Sequence, residues 1–208
     1  MERLSVRSQG FAEAGYVLLP GLLSQNVCSF LYEYVLKSAR AGRFGTGDSG
    51  VPGTPNCYGD PFTESLLELL LPRVESESGR HLFPTYSYLR LYKCGDVLHR
   101  HRDRPSCEIS VTLNLGYEAA APWPICVEAG GVTSSLLLEP SDALLYKGIE
   151  VPHWRESFPG EHSAQVFLHY VDKDGPHKEF KYDRRLSLST SPACTQLLDQ
   201  LTRIGTGV

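Results

Sequence analysis

The chain has 208 residues, 41% of them apolar, so it can pack one domain and is not a wholly disordered chain. Its formal charge is −4 with acids and bases interspersed, which argues against a nucleic-acid partner and against a like-charged interaction tail. The six cysteines, at 28, 57, 94, 107, 126 and 194, show no CxxC spacing, the pattern of free thiols in a reducing compartment.

Residues 1–10, "MERLSVRSQG", lack an apolar signal core, and the longest apolar run, "LLELLL", is too short to span a bilayer. The expectation is therefore a cytoplasmic protein with a flexible N-terminus and no membrane partner. Tyr16 to Leu19 read as a strand, broken by Pro20-Gly21. Ser24 is an N-cap for a helix carrying Val27, Phe30, Leu31, Tyr34 and Val35 at helical spacing, and Gly42 ends it. The stretch 42–59, rich in Gly, Pro, Ser and Asp, reads as a long loop and a candidate lid. A second helix follows, with Pro61 in its first turn and Pro72 as a point of kinking or division.

From Thr85 the pattern changes to short runs rich in β-branched and aromatic residues: "TYSYLRLYK", "EISVTLNLGY", "PICVEA", "SSLLLEP", "ALLYKG" and "AQVFLHYVD". Short strands with regular turn signals suggest a sandwich or barrel. The fold class is mainly β with N-terminal helices (α+β). One domain spans 11–185, and a C-terminal tail with one weak helical period covers 186–208.

Within "LYKCGDVLHRHRDRPSCEIS", His101 and Asp103 are two apart, so on a strand both leave the same face. "GIEVPHWRESF" supplies His153, fifty residues beyond Asp103. Two imidazoles and one carboxylate leave about three positions open on an octahedral ion, an arrangement suited to non-haem Fe(II) oxygenases. HxD alone is a weak signal; the strand that follows it and the distal histidine give it weight.

"YKCGDVLHRHRD", "EPSDALLYKGIEVPH" and "GYVLLPGLL" resemble the Fe(II)- and 2-oxoglutarate-dependent dioxygenases of the prolyl-hydroxylase and phytanoyl-hydroxylase branch, over roughly Phe11 to Asp172. The resemblance implies a double-stranded β-helix, or jelly roll, of roughly eight core strands. It implies Fe(II) held by His101, Asp103 and His153, with 2-oxoglutarate and O2 as co-substrates and ascorbate as an auxiliary reductant. The implied reaction hydroxylates an unactivated C–H bond and releases succinate and CO2. The carboxylate at Asp103 fills the place that halogenases of this family leave open for chloride, which favours hydroxylation.

The same family places an Arg or Lys shortly after the distal histidine to hold the far carboxylate of the keto acid. Here that window reads "HSAQ", His162 to Gln165, with no cation. Arg155, on the strand of His153 and expected on the same face, is the first substitute, with its fork of donors; a salt bridge to Glu150, Glu156 or Glu161 is its structural alternative. Tyr88, Tyr92 and Gln165 complete the expected co-substrate contacts, with His162, Lys147 and Arg90 behind them. His99 and Asn114 stand between pocket and plain structural roles, Trp154 and His169 read as packed side chains, and nothing demands ligation by Cys94 or Cys107.

The substrate reading is a small molecule or amino acid. A peptide or protein prolyl hydroxylase is the alternative within the family. A jelly-roll binding module that has lost catalysis is the alternative outside it, supported by the missing cation.

Overall fold

A computed structural model of the chain describes residues 10–48 and 50–190. The flexible N-terminus expected over 1–10 and the weak helical period of the tail lie outside the described residues, except Gly10 and residues 186–190. In chain order the elements are α1 (Phe11–Ala14), β1 (Tyr16–Leu19), α2 (Gln25–Arg40), β2 (Gly45–Thr46), β3 (Pro55–Tyr58) and α3 (Pro61–Ser78). Then follow β4 (Leu82–Lys93), β5 (Leu98–His101), β6 (Ile109–Glu118), β7 (Ile125–Ala129), β8 (Val132–Leu136), β9 (Ala143–Lys147), β10 (His153–Arg155) and β11 (His162–Asp172). Seven strands form one antiparallel sheet, β1-β9-β6-β11-β4-β3-β2, and four form another, β5-β10-β7-β8. The two sheets make the jelly roll, and α2 and α3 pack on the outside of the larger one.

The helices explain why the long strands are buried on both faces. Ile109, Val111, Leu113 and Leu115 of β6, with Ala164, Val166, Leu168 and Tyr170 of β11, face outward under Leu31, Val35, Leu67, Leu70 and Val74. The alternating residues face into the barrel, and many are polar: Ser110, Thr112 and Asn114 on β6, Gln165 and His169 on β11, Arg90 on β4, all buried. The largest apolar cluster therefore lies between sheet and helices, while inside the barrel two smaller ones, around Val127 and Tyr146 and around Tyr92 and Trp123, share the space with polar side chains.

Three local expectations are corrected. Ser24 caps α2 as expected, accepting from the Val27 amide, but the buried stripe runs through Cys28, Leu31, Val35 and Ser38, while Val27 and Phe30 face solvent. Small residues on that stripe let the helix come close to the sheet; at Gly116 of β6 a Cβ would lie 2.8 Å from the Tyr32 ring. Helix α3 runs through Pro72 without dividing. The carbonyl four residues back, on exposed Glu68, loses its donor where water can replace it. The 42–59 stretch is more than a loop: β2 and β3 form a hairpin on the edge of β4.

Candidate metal centre

Asp103 leaves the chain just after β5, and its amide donates to the Gly148 carbonyl (2.9 Å), which ties this segment to the turn before β10. Gly148 can only be glycine there, because a Cβ would lie 2.2 Å from the Cys107 carbonyl oxygen and 2.5 Å from Asp103 Oδ2. Strand β10 pairs with β5 so that His153 stands directly opposite His101, with ring centroids 4.3 Å apart. Both histidines are oriented alike. His101 Nδ1 meets the His99 carbonyl (2.8 Å) and His153 Nδ1 meets the Val151 carbonyl (3.0 Å). Each Nδ1 therefore carries the proton, and each Nε2 offers a lone pair.

Those two Nε2 atoms lie 3.6 Å and 3.5 Å from the same oxygen, Asp103 Oδ1. Adjacent donors on an octahedral ion with bonds of ~2.1 Å lie about 3 Å apart, so the set needs only a small contraction to close on an ion. The other carboxylate oxygen, Oδ2, accepts from Ser110 Oγ (3.0 Å), which also meets His169 Nδ1 (2.9 Å). Ser110 thus fixes the carboxylate plane and leaves Oδ1 facing the imidazoles. Burial opposes the Asp103 charge, but in the metal-free site the imidazoles of His101 and His153, when they take a second proton at Nε2, donate to it and hold the carboxyl far below the usual range. The Asp103 hydrogen bond in turn raises His101.

A cavity of about 440 Å³ opens on these three ligands, within the ordinary range for small-molecule sites. Tyr88, Arg90 and Tyr92 of β4 line it, with Tyr86, Arg102, Arg104 and Phe167. Of the four expected co-substrate residues, Tyr88 and Tyr92 are on this wall. Gln165 is buried but bonded through Nε2 to Asn114 and Ser163. Arg155 lies outside the cavity wall, stacked 4.9 Å from the Trp123 ring with Nη1 on the Trp123 carbonyl (2.5 Å). It makes no salt bridge among the described residues, so its structural alternative is replaced by this aromatic contact. Burial lowers its guanidinium to about 10.

The remaining candidates separate clearly. His99 is exposed, His162 meets Tyr32 (2.7 Å), and Lys147 reaches Ala12 and Glu150. Trp154 points away from His153 as expected, but to the surface, where Arg100 stacks on it. Asn114 is buried and donates to the Leu138 carbonyl. His169 is packed beside Tyr86, and burial lowers it to about 4. Cys107 lies near Asp103 and His169, but burial raises its thiol to about 12, so at neutral pH it is a thiol and a poor ligand. Cys94 is exposed. Sequence reading missed Ser110 and Gly148; the glycine stood in the quoted "YKGIEVPH", but its contact with Asp103 appears only once β9 and β10 are folded.

No protein-family model and no curated protein matches this sequence. Solved structures do. The epimerase SnoN from nogalamycin biosynthesis, in complex with Fe3+, α-ketoglutarate and nogalamycin RO, superposes with a TM-score of 0.69 at 11% identity, covering 88% of this chain and 90% of that one. A Trichoplax adhaerens prolyl hydroxylase complex with a hypoxia-inducible-factor peptide gives 0.63 at 16% identity, covering 78% and 86%. HygX from Streptomyces hygroscopicus, with nickel, 2-oxoglutarate and hygromycin B, gives 0.61 at 16% identity, covering 79% and 85%. At such identities the likeness is one of fold, and the fold is that of the 2-oxoglutarate- and Fe(II)-dependent oxygenases.

Proposed function

We propose that the protein is an Fe(II)- and 2-oxoglutarate-dependent oxygenase that hydroxylates a C–H bond of a small molecule or amino acid. The observation that carries this reading is the pair of imidazole Nε2 atoms turned on one oxygen of Asp103, at 3.6 Å and 3.5 Å, beside an open cavity lined by tyrosine and arginine side chains. His101, Asp103 and His153 would hold the ion. Bound Fe(II) with 2-oxoglutarate and O2 supplies oxidation in which one oxygen atom enters succinate as CO2 leaves and the other enters the substrate as hydroxyl.

The chain's own residues do the positioning. Carbonyls at His99 and Val151 hold the imidazoles, and Ser110 holds the carboxylate, so the three donors are set before any ion arrives. The buried Tyr92 hydroxyl and two nitrogens of Arg90 have no partner among the described residues, and both side chains line the cavity. Such groups are costly to bury unpaired and fit a bound acid. Leu98 and Phe167 add apolar surface to the same wall.

The test incubates the chain with Fe(II), 2-oxoglutarate and O2 against metabolite pools and, separately, proline-containing peptides. Succinate formed in step with a product 16 mass units heavier (one oxygen atom, an approximate nominal mass) is expected with metabolites and absent in His153→Ala. Product from peptides alone would move the substrate to the peptide class. No succinate with any pool, from a chain that binds metal, would sink the oxygenase reading.

A further inference from the structure

A keto diacid bound at the metal through its keto end must bury a second carboxylate in the barrel, and that charge needs a partner. Three cations line the cavity. Arg102 and Arg104 are exposed at its rim, and Arg104 is committed to Asp183 (2.8 Å). Arg90 differs. It is 6% exposed, and its guanidinium lies 5.3 Å from the Tyr88 ring and 5.4 Å from the Tyr92 ring. Its Nε and Nη1 have no partner among the described residues, and neither has the neighbouring Tyr92 hydroxyl.

The β4–β11 register sets Arg90 directly across from Gln165, so its side chain enters the barrel from the adjacent strand. Among the described residues its one side-chain hydrogen bond runs from Nη2 to Asp48 Oδ2, an oxygen that also accepts from Tyr88 (2.6 Å). Asp48 sits on the segment after β2, its other oxygen held by the Gly50 and Val51 amides (2.9 and 3.0 Å). A carboxylate already rests on this guanidinium, while the donors that would make a two-bonded fork stand empty.

We propose that Arg90 is the residue that receives the far carboxylate of the keto acid, and that Asp48 is the internal carboxylate it exchanges for. This rests on the proposed function and names a contact within it. The bidentate fork suits a carboxylate, and the flanking tyrosine rings hold the fork in place. Of the other buried guanidinium groups, Arg155 is turned to Trp123 and Arg185 is paired with Glu64, and neither lines the cavity.

The experiment is calorimetry on the full chain loaded with Mn(II), titrated with 2-oxoglutarate and with pyruvate, which has the keto-acid head and no second carboxylate. Wild type should prefer 2-oxoglutarate by about tenfold or more. Arg90→Gln should abolish the preference by weakening 2-oxoglutarate alone, and Arg90→Lys should keep part of it. Asp48→Asn should tighten 2-oxoglutarate several-fold and leave pyruvate unchanged. If Arg90→Gln keeps the preference, or Arg155→Gln removes it instead, the proposal is overturned. Should Arg90→Gln not fold, unchanged ratios in Arg90→Lys and Asp48→Asn overturn it. A wild type that holds Mn(II) but neither acid overturns the proposed function as well.

Discussion

Gly148 is the position where one added atom reaches the metal ligand. The Cβ of an alanine would lie 2.2 Å from the Cys107 carbonyl oxygen, 2.5 Å from Asp103 Oδ2 and 2.8 Å from Ser110 Oγ. The first obstacle is backbone, so the strain cannot pass into a rotamer change; the β9–β10 turn must lift away from the segment that carries Asp103. Contacts that orient a ligand carboxylate are typically worth 10–100-fold in metal affinity. Gly148→Ala should therefore weaken Zn(II) binding by about tenfold or more in competition with a chromophoric chelator. Gly10→Ala, where nothing lies within 4 Å of the added Cβ, should leave affinity unchanged. A Gly148→Ala chain with wild-type affinity would show that Asp103 is held by other contacts. The candidate ligands were legible in the sequence because His101 and Asp103 lie two apart at the end of a strand and the family resemblance adds His153. Ser110 was not, and Arg90 stood only behind Arg155 among the candidates for the far carboxylate, because what each side chain meets depends on which strand lies beside it.

At the scale of elements, the segment after β11 works as a strap across the same end of the barrel. Its 3-10 stretch, Lys178–Arg184, contains Tyr182 and Asp183 at φ 54° and Arg184 at φ 62°. Left-handed backbone at non-glycine residues costs of order 1 kcal/mol each, so something must hold it. Asp183 accepts from Tyr58 (2.6 Å) and from both terminal nitrogens of Arg104 (3.1 and 2.8 Å), which sets Arg104 at the cavity rim. Arg185 then inserts against Glu64 of α3 at 2.5 Å, with side chains 4% and 1% exposed. Ser189 adds its amide and hydroxyl to the same carboxylate, so contact with α3 continues past Arg185. Removing one member of a buried pair leaves an unpaired charge and costs about 3–5 kcal/mol. Glu64→Ala should lower the urea midpoint by an amount equivalent to ~3 kcal/mol, and Glu64→Leu with Arg185→Met should recover much of it. An unchanged midpoint in the single variant would mean that water enters and solvates Arg185.

Across the whole molecule, the helix-then-strand order was readable because its signals are local: a serine cap, helical spacing, short apolar runs between turn residues; the jelly roll followed from the family resemblance. The β2–β3 hairpin was not, since its Gly- and Pro-rich composition has no strand signature and only the edge of β4 makes it extended. Nor was the polar barrel interior, whose residues count as half of ordinary alternating strands until both faces prove buried. That interior makes global stability depend on pH. Burial lowers His169 to about 4, whereas an unfolded histidine titrates near 6.5. Between those values the unfolded chain binds a proton that the folded chain does not, so stability rises with pH across the window. The contribution is full above about pH 6.5, is lost as pH falls towards about 4, and amounts to ~3 kcal/mol. His101 runs the other way: raised by Asp103, it contributes below about pH 6.5 and fades as pH climbs through its raised value. The metal-free chain should therefore be most stable near pH ~6.5 in urea titrations. His169→Gln should flatten the acid side between about pH 6.5 and 5 while the alkaline side keeps its slope, and a variant that keeps the acid slope would assign it to another group.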